Sequence, residues 1–371
     1  MLHARCFKGI MDKKRRRLKG KQTVPADDHD DLQVLNVTLC AMFLMRAYSY
    51  GLHPKELKSM LSMGVPIALF NILWVLQNKS ASDDHSLDFI EFFSGCGQIR
   101  DALLRRGLIC TGFDITDDTT FENFISAAGL LCAIELMRLL RRYGGSHWAT
   151  VCSSWVWICR STTKRSIAFP LGIEPRCKAV EAGNIMVSNM AVLLLWALAK
   201  KVSWVVEQPG TSLMFEHPRF KQVKDAMRSS TDPRFQWTTE TICMGAHGAN
   251  SSKPTMLVAS SPWIRGLVVP LTEADKIRVG ENDEEIVTRD DAGGITGGKD
   301  LKATQEYPRG YGEAVAKEWM DFNEAPIEVS DSDTDNESEI VYPEATHDLR
   351  LDSSLSGVCK LLGVPAHVLL R

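Results

Sequence analysis

The chain has 371 residues, 44% of them hydrophobic and 24% charged, with a formal net charge of −3. That length holds one large or two ordinary domains, and the slightly negative balance says little about partners. Ten cysteines occur with no C-x-x-C pair and no cleavable secretory signal ahead of them, which excludes a zinc ribbon or a disulfide scaffold and leads to an expectation of reduced, intracellular thiols.

Residues 1–31 read as a disordered tail: the basic run Lys13–Arg17 with Lys19 and Lys21, then Pro25 and the acidic Asp27–Asp31, with few apolar side chains to pack. The basic run is a nuclear address, a nucleic-acid arm or a solvated tail, and a nuclear location is the expectation it carries. Residues 32–82 are expected to form a helical prelude and linker packed on the main domain, with a helix starting at Pro54. The longest apolar stretches, Val34–Met45, Val65–Leu76 and Met190–Ala199, are shorter than the roughly 20 residues of a membrane span. They are expected to be packed helices, with no membrane as a partner.

The main domain is placed at residues 83–322 and begins on the most informative stretch. Leu87–Phe93 is an apolar run of strand length, broken by Ser94-Gly95-Cys96-Gly97. From Gln98 the period becomes helical, through Ile99, Ala102 and Leu103, and Gly107 falls where a left-handed cap is wanted. A second strand, Leu108–Phe113, ends at Asp114. Glycines between a strand and a helix let backbone approach a ligand closely, and an acid ending the next strand accepts hydrogen bonds from ribose hydroxyls.

Phe121–Tyr143 reads as a helix with arginines at its end, closed by Gly144-Gly145. Ser146–Val151 is a short strand running into Cys152-Ser153-Ser154-Trp155 and on to Arg165. Lys178–Lys201 is a long helix, and Val202–Val206 a buried strand leading to Glu207-Gln208-Pro209-Gly210. Phe235–Met244 and Lys253–Ala259 form an antiparallel hairpin. Gly293–Asp300 is a near miss to a phosphate loop, since Asp300 stands where Ser or Thr is needed, and it is read as a flexible loop. A helix over Glu313–Phe322 is expected to pack back beside the first strand, and residues 323–371 are an acidic linker and tail. Within them Pro326–Asp333 resembles a short hydrophobic-acidic motif that would meet a protein partner by strand addition.

Phe93-Ser94-Gly95-Cys96-Gly97, with Asp114 closing the second strand, resembles the first two motifs of the S-adenosylmethionine-dependent cytosine-C5 DNA methyltransferases. The resemblance spans about Asp83 to Phe322. It implies an α/β fold with a doubly wound, Rossmann-like sheet of seven strands, mostly parallel, ending in an antiparallel hairpin. It also implies an S-adenosylmethionine pocket at Phe93, Ser94, Gly95, Cys96, Gly97, Asp114 and Ile115. Cys152 and Glu207 match the family's nucleophile and the acid at the N3 edge of the base. A thiolate adds to C6 because the pyrimidine is a poor nucleophile at C5, and the acid receives charge at N3.

A base inside a duplex must be flipped to meet Cys152, and Trp155, Trp157 and Arg160 are candidates to surround it. Arg160, Lys164 and Arg165 are the expected phosphate contacts, to DNA rather than RNA. The family's Pro-Cys-Gln is Val151-Cys152-Ser153 here and its Glu-Asn-Val is Glu207-Gln208-Pro209, which predicts a weaker hold on the cysteine loop. Pro262–Thr304 is short for a target-recognition domain, so sequence-specific duplex readout is not expected. Two other readings stand beside this one. The first is a catalytically silent methyltransferase fold that binds nucleic acid or a protein. The second is an amino (N4/N6) methyltransferase, of whose motif only the aromatic Trp155 is kept.

Overall fold

Apolar strands separated by amphipathic helices assemble here into one six-stranded sheet covered on both faces. The computed structural model describes residues 54–66, 69, 70, 73, 87–173, 177–228, 230, 232–289, 295–297 and 305–324, all within a compact unit of residues 46–348. The tail expected over residues 1–31, the Val34–Met45 stretch and the Pro326–Asp333 motif lie outside the described residues.

In chain order the elements are α1 (Pro54–Ser62), β1 (Leu87–Phe92), α2 (Gln98–Leu104), β2 (Cys110–Phe113), α3 (Ala127–Leu139), β3 (Leu140–Trp148), α4 (Arg160–Thr163) and α5 (Lys178–Ala199). They continue as β4 (Ser203–Pro209), α6 (Pro218–Arg228), β5 (Thr238–Cys243), β6 (Pro254–Ala259), α7 (Glu273–Ile286), β7 (Val287–Arg289), β8 (Ile295–Gly297) and α8 (Arg309–Glu324). The sheet order is β2-β1-β3-β4-β6-β5. The first four strands are parallel, and β6 runs antiparallel to both β4 and β5. This is a Rossmann-like arrangement with the expected final hairpin.

Among the described residues the sheet has six strands, one fewer than the seven the resemblance implies, and the chain passes from β2 through α3 directly into β3. The chain leaves β1 toward one side and returns on the other, so the order reverses between β1 and β3. In open α/β sheets that crevice, at the carboxyl ends of the strands, is where ligands bind.

Alternation along the strands divides the core. Phe89 faces α2 and α8, where it meets Trp319 edge-on with ring centroids 5.1 Å apart, joined by Ile99, Leu103, Val315 and Tyr311. Phe92 faces the other layer and stacks on Trp148 at 3.8 Å beside Phe124. Each large side chain so buried contributes about 1.5–3 kcal/mol.

Gly144 and Gly145 do not end a helix as expected. Ser126 caps α3, its Oγ accepting from the Gly129 N–H at 3.0 Å, and both glycines lie inside β3. A Cβ on Gly145 would stand 2.5 Å from the Phe89 ring and from Nε1 of Trp319. Glycine here serves the close seating of α8 on the sheet, a long-range need that local periodicity does not register. The Gly293–Asp300 loop is also corrected in part: Ile295–Gly297 is β8, paired antiparallel with β7. α8 is longer than expected, and Glu313 in its second turn takes Arg105 and Arg106 at 2.6 and 2.7 Å, tying it to the end of α2.

α5 is long and apolar enough to cross a membrane by length and composition. It is the buried helix of the second layer, with Val187, Met190, Leu193, Leu194 and Trp196 among its buried residues. Of the expected prelude, α1 packs on it, with Trp196 Nε1 donating to Glu56 at 2.8 Å; residues 32–53 and 74–82 lie outside the described residues.

Candidate active site

The turn after β1 is built by backbone conformation. Phe93, Gly95 and Gly97 have φ of 60°, 50° and 67°, a region natural for glycine and uncommon for phenylalanine. The Phe113 carbonyl accepts from the N–H groups of Phe93 at 2.7 Å and Ser94 at 3.3 Å, tying the turn to the end of β2. Asp114 continues the tie: Oδ2 accepts from the Gly95 N–H at 2.9 Å, and Oδ1 from the N–H and hydroxyl of Thr116 at 2.9 and 2.7 Å. A carboxylate offers about four acceptor positions, so Oδ2 keeps room for one more donor. Space is open beside Gly95, Ile115 and Cys96 are exposed, and the buried Ser94 Oγ has no partner. The expected cofactor residues therefore share one place, with free acceptor capacity at Asp114 and an orphaned hydroxyl buried against Gly112 behind the turn.

At the exit of β3 the loop turns at Cys152, whose carbonyl accepts from the Trp155 N–H at 2.8 Å. The thiol is half-buried, and burial pushes it above its ordinary range, with the Glu207 charge adding to the rise and the Lys253 charge opposing it. Glu207 is buried on β4; burial raises its carboxyl, while Lys253 and the Tyr307 hydroxyl, donating to Oε2 at 3.0 Å, act against that rise. The other oxygen, Oε1, is buried without a partner. Lys253 Nζ lies 5.7 Å from the centroid of the Tyr307 ring. Thiol, carboxyl, ammonium and phenol thus form one electrostatic neighbourhood from the loop after β3, from β4, from the β5–β6 connection and from the segment leading into α8.

The altered motif still ties β4 to the segment leading into the cysteine loop. Gln208, fully buried, donates from Nε2 to the Thr150 carbonyl at 2.7 Å and its hydroxyl at 3.0 Å, while Oε1 accepts from Ser212 at 2.9 Å. The extra methylene of glutamine over asparagine leaves the same amide chemistry within reach of the loop.

A buried polar row lies beside Tyr307, whose ring centroid is 5.4 Å from that of His147. Glu91 of β1 and His147 of β3 are register partners, both fully buried, and His147 Nε2 lies 3.1 Å from the Tyr311 hydroxyl. Burial raises Glu91 to about 7, against the lowering by the backbone N–H of Arg100, which donates to Oε2 at 2.7 Å. Burial lowers His147 to about 3. A carboxyl near 7 when folded and near its ordinary 4.5 when unfolded binds its proton more tightly in the folded state. Its contribution is fully present below about 4.5 and is lost as pH rises toward 7. His147 works in the opposite direction, since stability is lost as pH falls below its ordinary 6.5 toward 3. Glu91→Gln is therefore expected to raise the melting temperature at pH 8 relative to pH 5, read by thermal melts across that range; an unchanged pH profile would contradict it.

The expected nucleic-acid residues separate. Lys164 is exposed, and Arg160 lies against Trp157 with its guanidinium 3.8 Å from the ring centroid. Arg165 is only 2% exposed and is corrected from phosphate contact to internal brace. Its guanidinium donates to the Pro170 and Val180 carbonyls, Asn184 Oδ1 and Ser154 Oγ, and lies 3.3 Å over the Trp155 ring. Burial of Trp155 as well removes it from the surface a base would meet.

Lys253, Tyr307 and Gln208 were not found from sequence. The hairpin register holds the signal for Lys253: Pro209 pairs with Thr255, so the residues before β6 must sit beside the exit of β4. Comparison with protein-family models, with curated proteins and with solved structures returns no match.

Proposed function

We propose that the chain is an S-adenosylmethionine-dependent methyltransferase acting at C5 of cytosine in DNA. One observation carries the reading: Cys152, just past the end of β3, and Glu207, near the end of the neighbouring β4, are far apart in sequence yet close enough for the Glu207 charge to act on the thiol, at the carboxyl ends of the strands beside the switch point. The glycine turn and Asp114, at the exits of β1 and β2, lie on the same edge. The antiparallel end of the sheet further supports the family resemblance.

Phe93, Ser94, Gly95, Gly97 and Asp114 would hold the cofactor, which when bound supplies an electrophilic methyl group. Cys152 would add to C6 as thiolate and leave when the C5 proton is removed. Glu207, whose carboxyl burial raises above its ordinary range, would hydrogen-bond toward N3, its unpartnered Oε1 accounting for the available position. Lys253 would favour both the thiolate and the ionised carboxyl, and so link the two proton positions.

Calorimetric titration of S-adenosylmethionine tests the cofactor half directly. Saturable binding is expected, weakened about 10- to 100-fold in Asp114→Ala, as for loss of a hydrogen bond to a charged group. A folded chain that takes no cofactor would leave the silent-fold reading, which the raised, half-buried thiol also suits.

A further inference from the structure

We propose that the loop following Cys152 is a stacking platform for an unpaired base, and that the polymer this chain takes is single-stranded nucleic acid. The inference rests on the proposed cytosine chemistry for the role of the base and deepens it by naming the form of the substrate.

Trp157 is 61% exposed, in a short 3-10 turn only five residues beyond Cys152. The Arg160 guanidinium covers one face of its indole at 3.8 Å, and the exposure leaves the other face to solvent. Val151, Ile158, Ile167 and Phe169 on the same loop are also 48–68% exposed. Apolar side chains left in water in this number mark a contact surface.

Charge identifies the occupant. From Val151 to Lys178 the sole carboxylate in the sequence is Glu174, against Arg160, Lys164, Arg165, Arg176 and Lys178. Arg165 is spent internally, but Lys164 and Lys178 are exposed. An apolar protein face laid on this loop would desolvate Arg160 and Lys164 without pairing them. A phosphodiester strand pairs them while its bases stack, the combination that single-strand binders use.

The platform is also firmly joined to the thiol. The N–H groups of Trp155 and Val156 both reach the Cys152 carbonyl, at 2.8 and 3.3 Å, and Arg165 braces Trp155 from beneath. A base stacked on Trp157 is thereby held by the same short loop as the nucleophile. An unpaired base also avoids the unstacking that a duplex requires.

The test is fluorescence anisotropy with labelled 12-mers of oligo(dT) and oligo(U) and a 12-base-pair DNA duplex, at matched salt. Either single strand should bind about 10-fold or more tightly than the duplex, and the two arms separate DNA from RNA. Trp157→Ala should weaken single-strand binding about 10- to 100-fold, as for loss of one base stack; Trp157→Phe should retain most of it. Trp157→Leu keeps apolar bulk without the ring and should behave as the alanine variant. Arg160→Gln should reduce the salt dependence by about one phosphate contact, a slope change of about 0.7.

Equal or tighter duplex binding overturns the inference, as do unaffected tryptophan variants. Full binding by Trp157→Leu would point instead to apolar docking, by a protein or a second copy. Cofactor calorimetry on the same proteins separates the two claims. A chain that binds S-adenosylmethionine but prefers duplex loses only the platform. A chain that prefers single strands but takes no cofactor keeps the platform and loses the chemistry.

Discussion

Cys152→Ala is expected to abolish covalent trapping by an oligonucleotide carrying 5-fluorocytosine, from a readily detected adduct to none. With S-adenosylmethionine supplied, methyl transfer to C5 leaves fluorine where the proton would be removed, so the elimination that frees the thiol from C6 is blocked and the complex survives denaturing electrophoresis. An amino methyltransferase would transfer methyl groups with no such adduct, and a silent fold would do neither. The thiol lies above its ordinary range because of burial and the nearby Glu207 charge, so trapping should accelerate with rising pH as the thiolate fraction grows. Lys253 opposes that rise. Lys253→Met should therefore shift the pH dependence to still higher pH without removing the adduct. An adduct that persists in Cys152→Ala would transfer the nucleophile to another residue and end the assignment.

Arg165→Met is expected to lower unfolding stability by about 3 kcal/mol or more, a shift of about 1 M in the urea midpoint. Methionine keeps the stem of the side chain but leaves the Pro170 and Val180 carbonyls, Asn184 Oδ1 and Ser154 Oγ short of the donors they now have. Each buried acceptor left unsatisfied costs about 1–3 kcal/mol, and the ring of Trp155 loses its covering cation. Lysine should rescue little, because a point charge does not reproduce the planar fork that meets several acceptors at once. Were Arg165 a phosphate contact, the methionine variant would fold with normal stability and only weaken nucleic-acid binding. The two outcomes are read from the same protein, by urea unfolding and by anisotropy.

The contrast between Arg160 and Arg165 shows where sequence reading stops. The two belong to one short basic run, Arg160 to Arg165, and composition alone treats them alike. One lies on an exposed tryptophan, whereas the other is enclosed between the cysteine loop and α5. Gly144 and Gly145 make the same point for the backbone. Local rules read them as a helix stop, but the tight seating of Trp319 against β3 decides the role of Gly145, and the close Arg141 and Asp88 carbonyls that of Gly144.

The sequence by itself determined the strand, glycine turn, helix and second strand from Leu87 to Phe113, the long helix from Lys178 and the final hairpin. These follow from periodicity and from glycine's access to positive φ, which are properties of neighbouring residues. It also marked Cys152 and Glu207 as strand-exit residues. Only the tertiary structure decided that Lys253 and Tyr307 join them, that Gln208 secures the cysteine loop, and that Glu91 and His147 are buried side by side. Those relations depend on strand order and cross-sheet register, which bring together groups from β1, β3, β4 and the segment leading into α8. Burial then sets their protonation, because desolvation is a property of the assembled interior and not of any local stretch of chain.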